Sequence, residues 1–90
     1  MGDLDSRVKG IVSDALSVFD REHTAHSPRP QGIVLVGSSH RSEVLAAFRD
    51  SQYFTTNSVP VEVAEDSRHG TYKGYYSIDL NYCFRTIPKQ

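Results

Sequence analysis

The stretch YKGYYSIDLNYCF, residues 72–84, decides the fold read from this chain, because apolar and polar side chains alternate along nearly its whole length. Tyr72, Tyr76, Ile78, Leu80, Tyr82 and Phe84 fall on one side of an extended chain; Lys73, Tyr75, Ser77, Asp79, Asn81, Cys83 and Arg85 fall on the other. The first set is expected to be core and the second to face outward. A straight strand from Tyr72 to Thr86 would extend about 50 Å, whereas a globule of this chain length is about 30 Å across. The strand must therefore bend, start later than Tyr72, or overhang and pair with another chain, as a homodimer or on a partner's sheet.

Two apolar runs precede it. Residues 33–36 read IVLV, a continuous apolar run of the kind found in interior strands. Val59, Val61 and Val63 alternate with Pro60 and Glu62, which predicts a half-buried strand. Pro60 lacks a ladder donor and places that strand at a sheet edge. Between the two, Ser39 is a candidate N-cap for a helix through Glu43, Val44, Leu45 and Phe48 to about Asp50.

At the start of the chain, Leu4, Val8, Ile11, Val12, Ala15, Leu16 and Phe19 follow the spacing of one helical face, predicting a helix of about five turns. Asp3, Asp5 and Ser6 suit its N-terminus; Arg21 and His23 suit its C-terminus. Gly10 costs about 1 kcal/mol there relative to Ala, unless a neighbouring element packs closely against it. Pro28 and Pro30 predict a loop before the first strand, and Asp66, Ser67, His69 and Gly70 predict a turn before the last.

The resulting order is α-β-α-β-β. The strand–helix–strand unit requires its two strands to run parallel, and the aromatic strand is expected to pair antiparallel between them. The expectation is thus a single domain over residues 1–90, an α+β two-layer sandwich. Its three-stranded mixed sheet is half ferredoxin-like, with both helices on one face. A helix on the other face would bury Asp79, Asn81 and Arg85 without partners.

Composition narrows the function classes. The 90 residues carry a formal charge of -1, which excludes a global field for phosphate backbones or anionic membranes. Cys83 is the single cysteine, so neither an internal disulfide nor a cysteine zinc cage is available. The acidic start MGDLDSRVKG has no apolar signal stretch and no segment reaches a membrane span, so a cytoplasmic, soluble protein without a membrane partner is expected.

The residues IVLVGSS at 33–39, the helix with Val44 and Phe48, and DSRHGTYKGYYSIDL at 66–80 together resemble the first part of an RNA recognition motif domain. In that family the third strand carries a K/R-G-F/Y-G/A-F-V-x-F/Y motif whose outward aromatics stack on bases. Lys73, Gly74, Tyr75 and Ile78 match it. Tyr76, Ser77 and Leu80 depart from it, and the family's second helix and fourth strand have no counterpart after Phe84. The resemblance implies a ferredoxin-like topology and RNA contact through Tyr75 and Lys73.

The outward face of the last strand supplies the main candidate site. Tyr75, Asp79, Asn81 and Arg85, with Glu62 of the neighbouring strand, mix aromatic, charged and polar groups in the manner of an interface. They point to a non-enzymatic protein-binding module, an inhibitor or adaptor of a larger complex, with another protein or a second copy of itself as partner. The alternative is an RNA- or nucleotide-binding domain. It would use Lys73 and Tyr75, or the strand-to-helix turn at 37–42, where Ser38, Ser39 and Arg41 could meet an anion at a helix N-terminus. That turn carries neither a Walker pattern nor G-x-G-x-x-G. His23 and His26, with His40 or His69, are read as solvent-exposed rather than as ligands. No metal, cofactor or catalytic residue is expected.

Overall fold

The computed structural model describes residues 3–65 and 72–87. The first helix, α1, spans Asp3–Asp20 and buries Val8, Ile11, Ala15 and Phe19, four positions spaced by three or four residues along one stripe. Asp5 and Lys9 pair at 3.1 Å on its exposed side, a contact worth a few tenths of a kcal/mol. Beyond its last turn, His23 Nε2 lies 3.2 Å from the Phe19 carbonyl oxygen and, when protonated there, satisfies it.

Strand β1, Ile33–Val36, leads through residues 37–40 into α2, Arg41–Asp50. The expected Ser39 cap is replaced. His40 takes the N-cap position in a left-handed conformation, with φ 51° and no side-chain cap. The Ser39 hydroxyl instead donates to Asn81 Oδ1 at 2.7 Å, so its capping chemistry is spent on a link between elements.

Ser51 then breaks the helix and a short α3, Gln52–Thr56, follows, which the sequence reading did not foresee. Its purpose in packing is Phe54, which meets Phe19, Phe48 and Tyr53 edge to face at centroid distances of 5.6, 5.1 and 5.3 Å.

Strands β2, Val61–Ala64, and β3, Tyr76–Asp79, complete a sheet of order β2-β1-β3. Both pair parallel with β1: Leu35 stands opposite Val63 on one side and Ile78 on the other. The sheet is therefore all parallel, not mixed, and β1 rather than the aromatic strand is central. The half ferredoxin-like topology is not adopted. Pro60 does precede an edge strand, as expected. The residues of the expected turn, Asp66, Ser67, His69 and Gly70, lie outside the described residues.

The long aromatic strand is also shorter than its alternation implied. Before β3, Gly74 has φ 86° and Tyr75 N donates to the Tyr72 carbonyl at 3.0 Å, so the chain turns there. After it, Asp79 accepts from Tyr82 N at 3.2 Å and caps α4, Leu80–Cys83. Leu80 and Phe84 are both buried, as either an alternating strand or one helical turn would have them. Tyr82 separates the two readings. Expected in the core, it is 62% exposed, because a turn of helix places i+2 on the opposite side.

One cluster joins Val8, Ile11, Ala15 and Phe19 of α1 to Val44 and Phe48 of α2, Phe54 of α3, Ile33 and Leu35 of β1, and Ile78 of β3. The two long helices thus lie on one face of the sheet, as expected. Gly10 has no such role. A Cβ placed there would meet nothing within 4 Å.

Candidate functional site on the uncovered sheet face

Side chains alternate along each strand, so the partners of Val34 and Val36 define the face turned away from the helices. That face carries Val34 and Val36 of β1, Glu62 and Ala64 of β2, and Ser77 and Asp79 of β3. Glu62, Ser77 and Asp79 are exposed, while Val36 and Ala64 are half-buried. Among the described residues no helix covers it. All-parallel sheets are ordinarily covered on both faces.

The face is not uniformly bare. Val34 is only 3% exposed although it lies outside the core cluster. At the start of the strands a Cβ on Gly32 would lie 2.6 Å from the Tyr75 ring and 2.8 Å from Pro60 Cγ. Tyr75, set edge to face against Tyr72 at 5.4 Å, therefore closes this end over a glycine that has to be a glycine. The accessible part is the half toward the carboxyl ends, with small apolar groups between Glu62 and Asp79.

Beyond those carboxyl ends the β1–α2 turn meets the segment after β3. Gly37, at φ 89°, packs so closely on Asn81 that a Cβ would lie 2.8 Å from its amide nitrogen. Asn81 Oδ1 accepts from both the Ser39 amide, at 3.2 Å, and the Ser39 hydroxyl. Arg41 reaches back to the Gly37 carbonyl at 3.4 Å and lies 3.7 Å from the Glu65 carboxylate. His40 packs on Phe84 at 4.9 Å, with its Nε2 buried and unpartnered. The amide and hydroxyl of Ser39 converge on one oxygen, a pair of donors that could equally meet an anionic oxygen.

The expected protein-binding set is consequently divided among three places. Glu62 and Asp79 share the uncovered face, and Tyr75 lies across its far end. Asn81 belongs to the turn. Arg85 is on neither: its guanidinium sits 4.0 Å over the Tyr82 ring and donates to the Tyr82 carbonyl at 3.0 Å. There it borders a groove of about 520 Å³ between α1 and α4, where Arg7 donates to the Cys83 carbonyl. The reason is α4, which rotates Asn81, Cys83 and Arg85 off the face on which continued alternation would have placed them.

The expected anion set is divided as well. Ser38, Ser39 and Arg41 follow the carboxyl end of β1, but Lys73 precedes the amino end of the parallel β3, at the opposite end of the sheet. Val36, Ala64 and Ser77 were not singled out by sequence reasoning. The parity of the IVLV run marked Val36 as a partner of Val34, but only the parallel register could bring Ala64 and Ser77 beside them.

Two groups titrate away from their ordinary values. Burial pushes the Cys83 thiol up, Asp79 adds to the rise, and Arg7 opposes it. Burial and then Asp14 push the Tyr76 hydroxyl up. Neither is thereby activated as a nucleophile at neutral pH. Among the described residues no cluster of three or more potential metal ligands occurs, and no helix is long and apolar enough to cross a membrane.

Fold and site together define a small α+β domain whose open three-stranded parallel sheet is clad by helices on one face. No protein-family model, curated protein or solved structure matches the chain.

Proposed function

We propose that this protein is a non-enzymatic protein-binding module, an adaptor or inhibitor that receives a helix of another protein on its uncovered sheet face. The observation that carries the reading is that, among the described residues, helices clad only one face of an all-parallel sheet, whose second face is ordinarily covered by a crossover helix. A partner helix would take that place, laying small apolar side chains on Val36 and Ala64. Its basic residues would reach Glu62 and Asp79. A second copy of the chain fits less well, since a two-fold stacking of this face sets Glu62 and Asp79 against their own equivalents.

A photo-reactive residue at Ser77, compared with one at Asp20 on α1, tests this in the source cell. A heterologous cross-link formed from position 77 and absent from position 20 supports the reading. Equal labelling from both positions, or a homodimer as the only product, would sink it.

A second reading, binding of a nucleotide or of RNA, is favoured by the strand order. In β2-β1-β3 the chain passes from β1 to β2 on one side and then back past β1 to β3 on the other, and ligands of parallel sheets bind outside the carboxyl ends where the strand order reverses. Ser38, Ser39 and Arg41 stand there, with Asn81 holding the Ser39 donors. Titration with mononucleotides and single-stranded RNA at low salt tests it. The amide resonances of these residues should shift, and saturation should tighten in Asn81→Ala.

A further inference from the structure

Strand β2 ends the sheet, and its free edge has a definite chemistry. The Pro60 and Ala64 carbonyls accept from Ile33 N at 2.8 Å and from Gly37 N at 3.1 Å, so alternate residues of β2 turn their backbone toward β1. By the same alternation Val61 and Val63 turn both N–H and C=O outward, where no partner occurs among the described residues. Val63 itself is 39% exposed on the helix-clad side. The edge is short, follows Pro60 and carries Glu62 on the face away from the helices, but no bulge interrupts it and its helix-clad side bears no charge.

Beside this edge lies a groove of about 380 Å³. Leu45, Phe48, Phe54, Val59 and Val61 line it with apolar surface, and Arg49 supplies the single charge at its wall. Arg49 is exposed and has no ion pair among the described residues. Outward peptide groups, an apolar groove on one side of them and an unpaired guanidinium specify one kind of occupant. It is an extended peptide with apolar side chains at alternate positions and a carboxylate at one end.

We propose that the β2 edge and this groove bind an extended, acidic-ended segment of another protein by strand addition, pairing its backbone with Val61 and Val63. Every second side chain then enters the groove, and the carboxylate meets Arg49. This site is independent of the sheet face, and either can stand without the other.

The probes are two labelled peptides, Asp-Thr-Val-Thr-Val-Thr-Val and Val-Thr-Val-Thr-Val-Thr-Asp, in which the aspartate shares the face of the valines and which cover both strand directions. Fluorescence anisotropy with the full chain should show saturation below about 1 mM for one of them. N-methylation of the amides on one edge of that peptide should weaken binding about tenfold, and N-methylation of the intervening amides should leave it unchanged. Arg49→Glu, at an exposed position, should weaken it by a similar factor; Ser77→Arg should have no effect. Failure of both peptides to saturate, or equal sensitivity to both N-methylation patterns, overturns the proposal. So does indifference to Arg49→Glu, and a loss in Ser77→Arg as large as in Arg49→Glu would reassign the peptide to the sheet face.

Discussion

The two faces of the sheet are built from the same three strands and differ in almost everything else. On one, Ile33 and Leu35 are fully buried beneath α1 and α2, and Phe48 and Phe54 extend the packing beyond the sheet edge. On the other, Val34 is buried but its lateral neighbours Glu62 and Ser77 are exposed. The difference teaches that stability and recognition are separated here by strand parity: adjacent residues of one short run serve the core and the candidate interface in turn.

The comparison breaks first where the clad face is cut. Phe48→Ala should cost about 3–5 kcal/mol in chemical denaturation, since the ring is 1% exposed and its removal leaves a cavity against Phe54. Gly37→Ala, at φ 89° and against Asn81, should cost roughly 1–3 kcal/mol by the same assay, showing how firmly the carboxyl-end turn is held. Val34→Ala sharpens the contrast. Two methyl groups buried on the other face are worth about 1.6 kcal/mol at roughly 0.8 each. A loss as large as that of Phe48→Ala would mean that the second face is packed like the first. Ser77→Arg, on the accessible part, should change stability by less than about 0.5 kcal/mol while abolishing a partner contact made there.

The smallest effect concerns pH. The Cys83 thiol is raised in the folded chain, so its alkylation by iodoacetamide should reach half-maximal rate at a higher pH than in the urea-unfolded chain. Because the unfolded chain loses that proton first, the thiol's contribution to stability is intact below the unfolded pKa. It declines as pH rises through the folded one. Denaturant midpoints taken across that alkaline range should fall in the native cysteine chain more than in Cys83→Ala.

Much of this was legible in the residues. The 3- and 4-residue spacing of Val8, Ile11, Ala15 and Phe19 announced α1, and IVLV announced β1. Proline marked β2 as an edge. What misled was the coincidence of two periods after β3: Leu80 and Phe84 satisfy both alternation and an i, i+4 turn, so the strand was carried too far and took Asn81 and Arg85 to the wrong surface. The N-cap of Asp79 was the available signal, but an aspartate before an apolar residue is equally at home on the solvent side of a strand. Of the candidate site, Glu62 and Asp79 were named from the sequence and do share a face. Ser77 was read as outward with Asp79, but that it lies beside Val34, and Ala64 beside Val36, depends on register.

By itself, then, the sequence determined α1, β1, α2 and β2 and which side of α1 and α2 is apolar, since those follow from local spacing and side-chain chemistry. Strand direction, the central place of β1 and the face that no helix covers among the described residues were decided only in the tertiary structure. An alternating strand has the same pattern whether its neighbour runs parallel or antiparallel, and only the path of the chain between strands selects one.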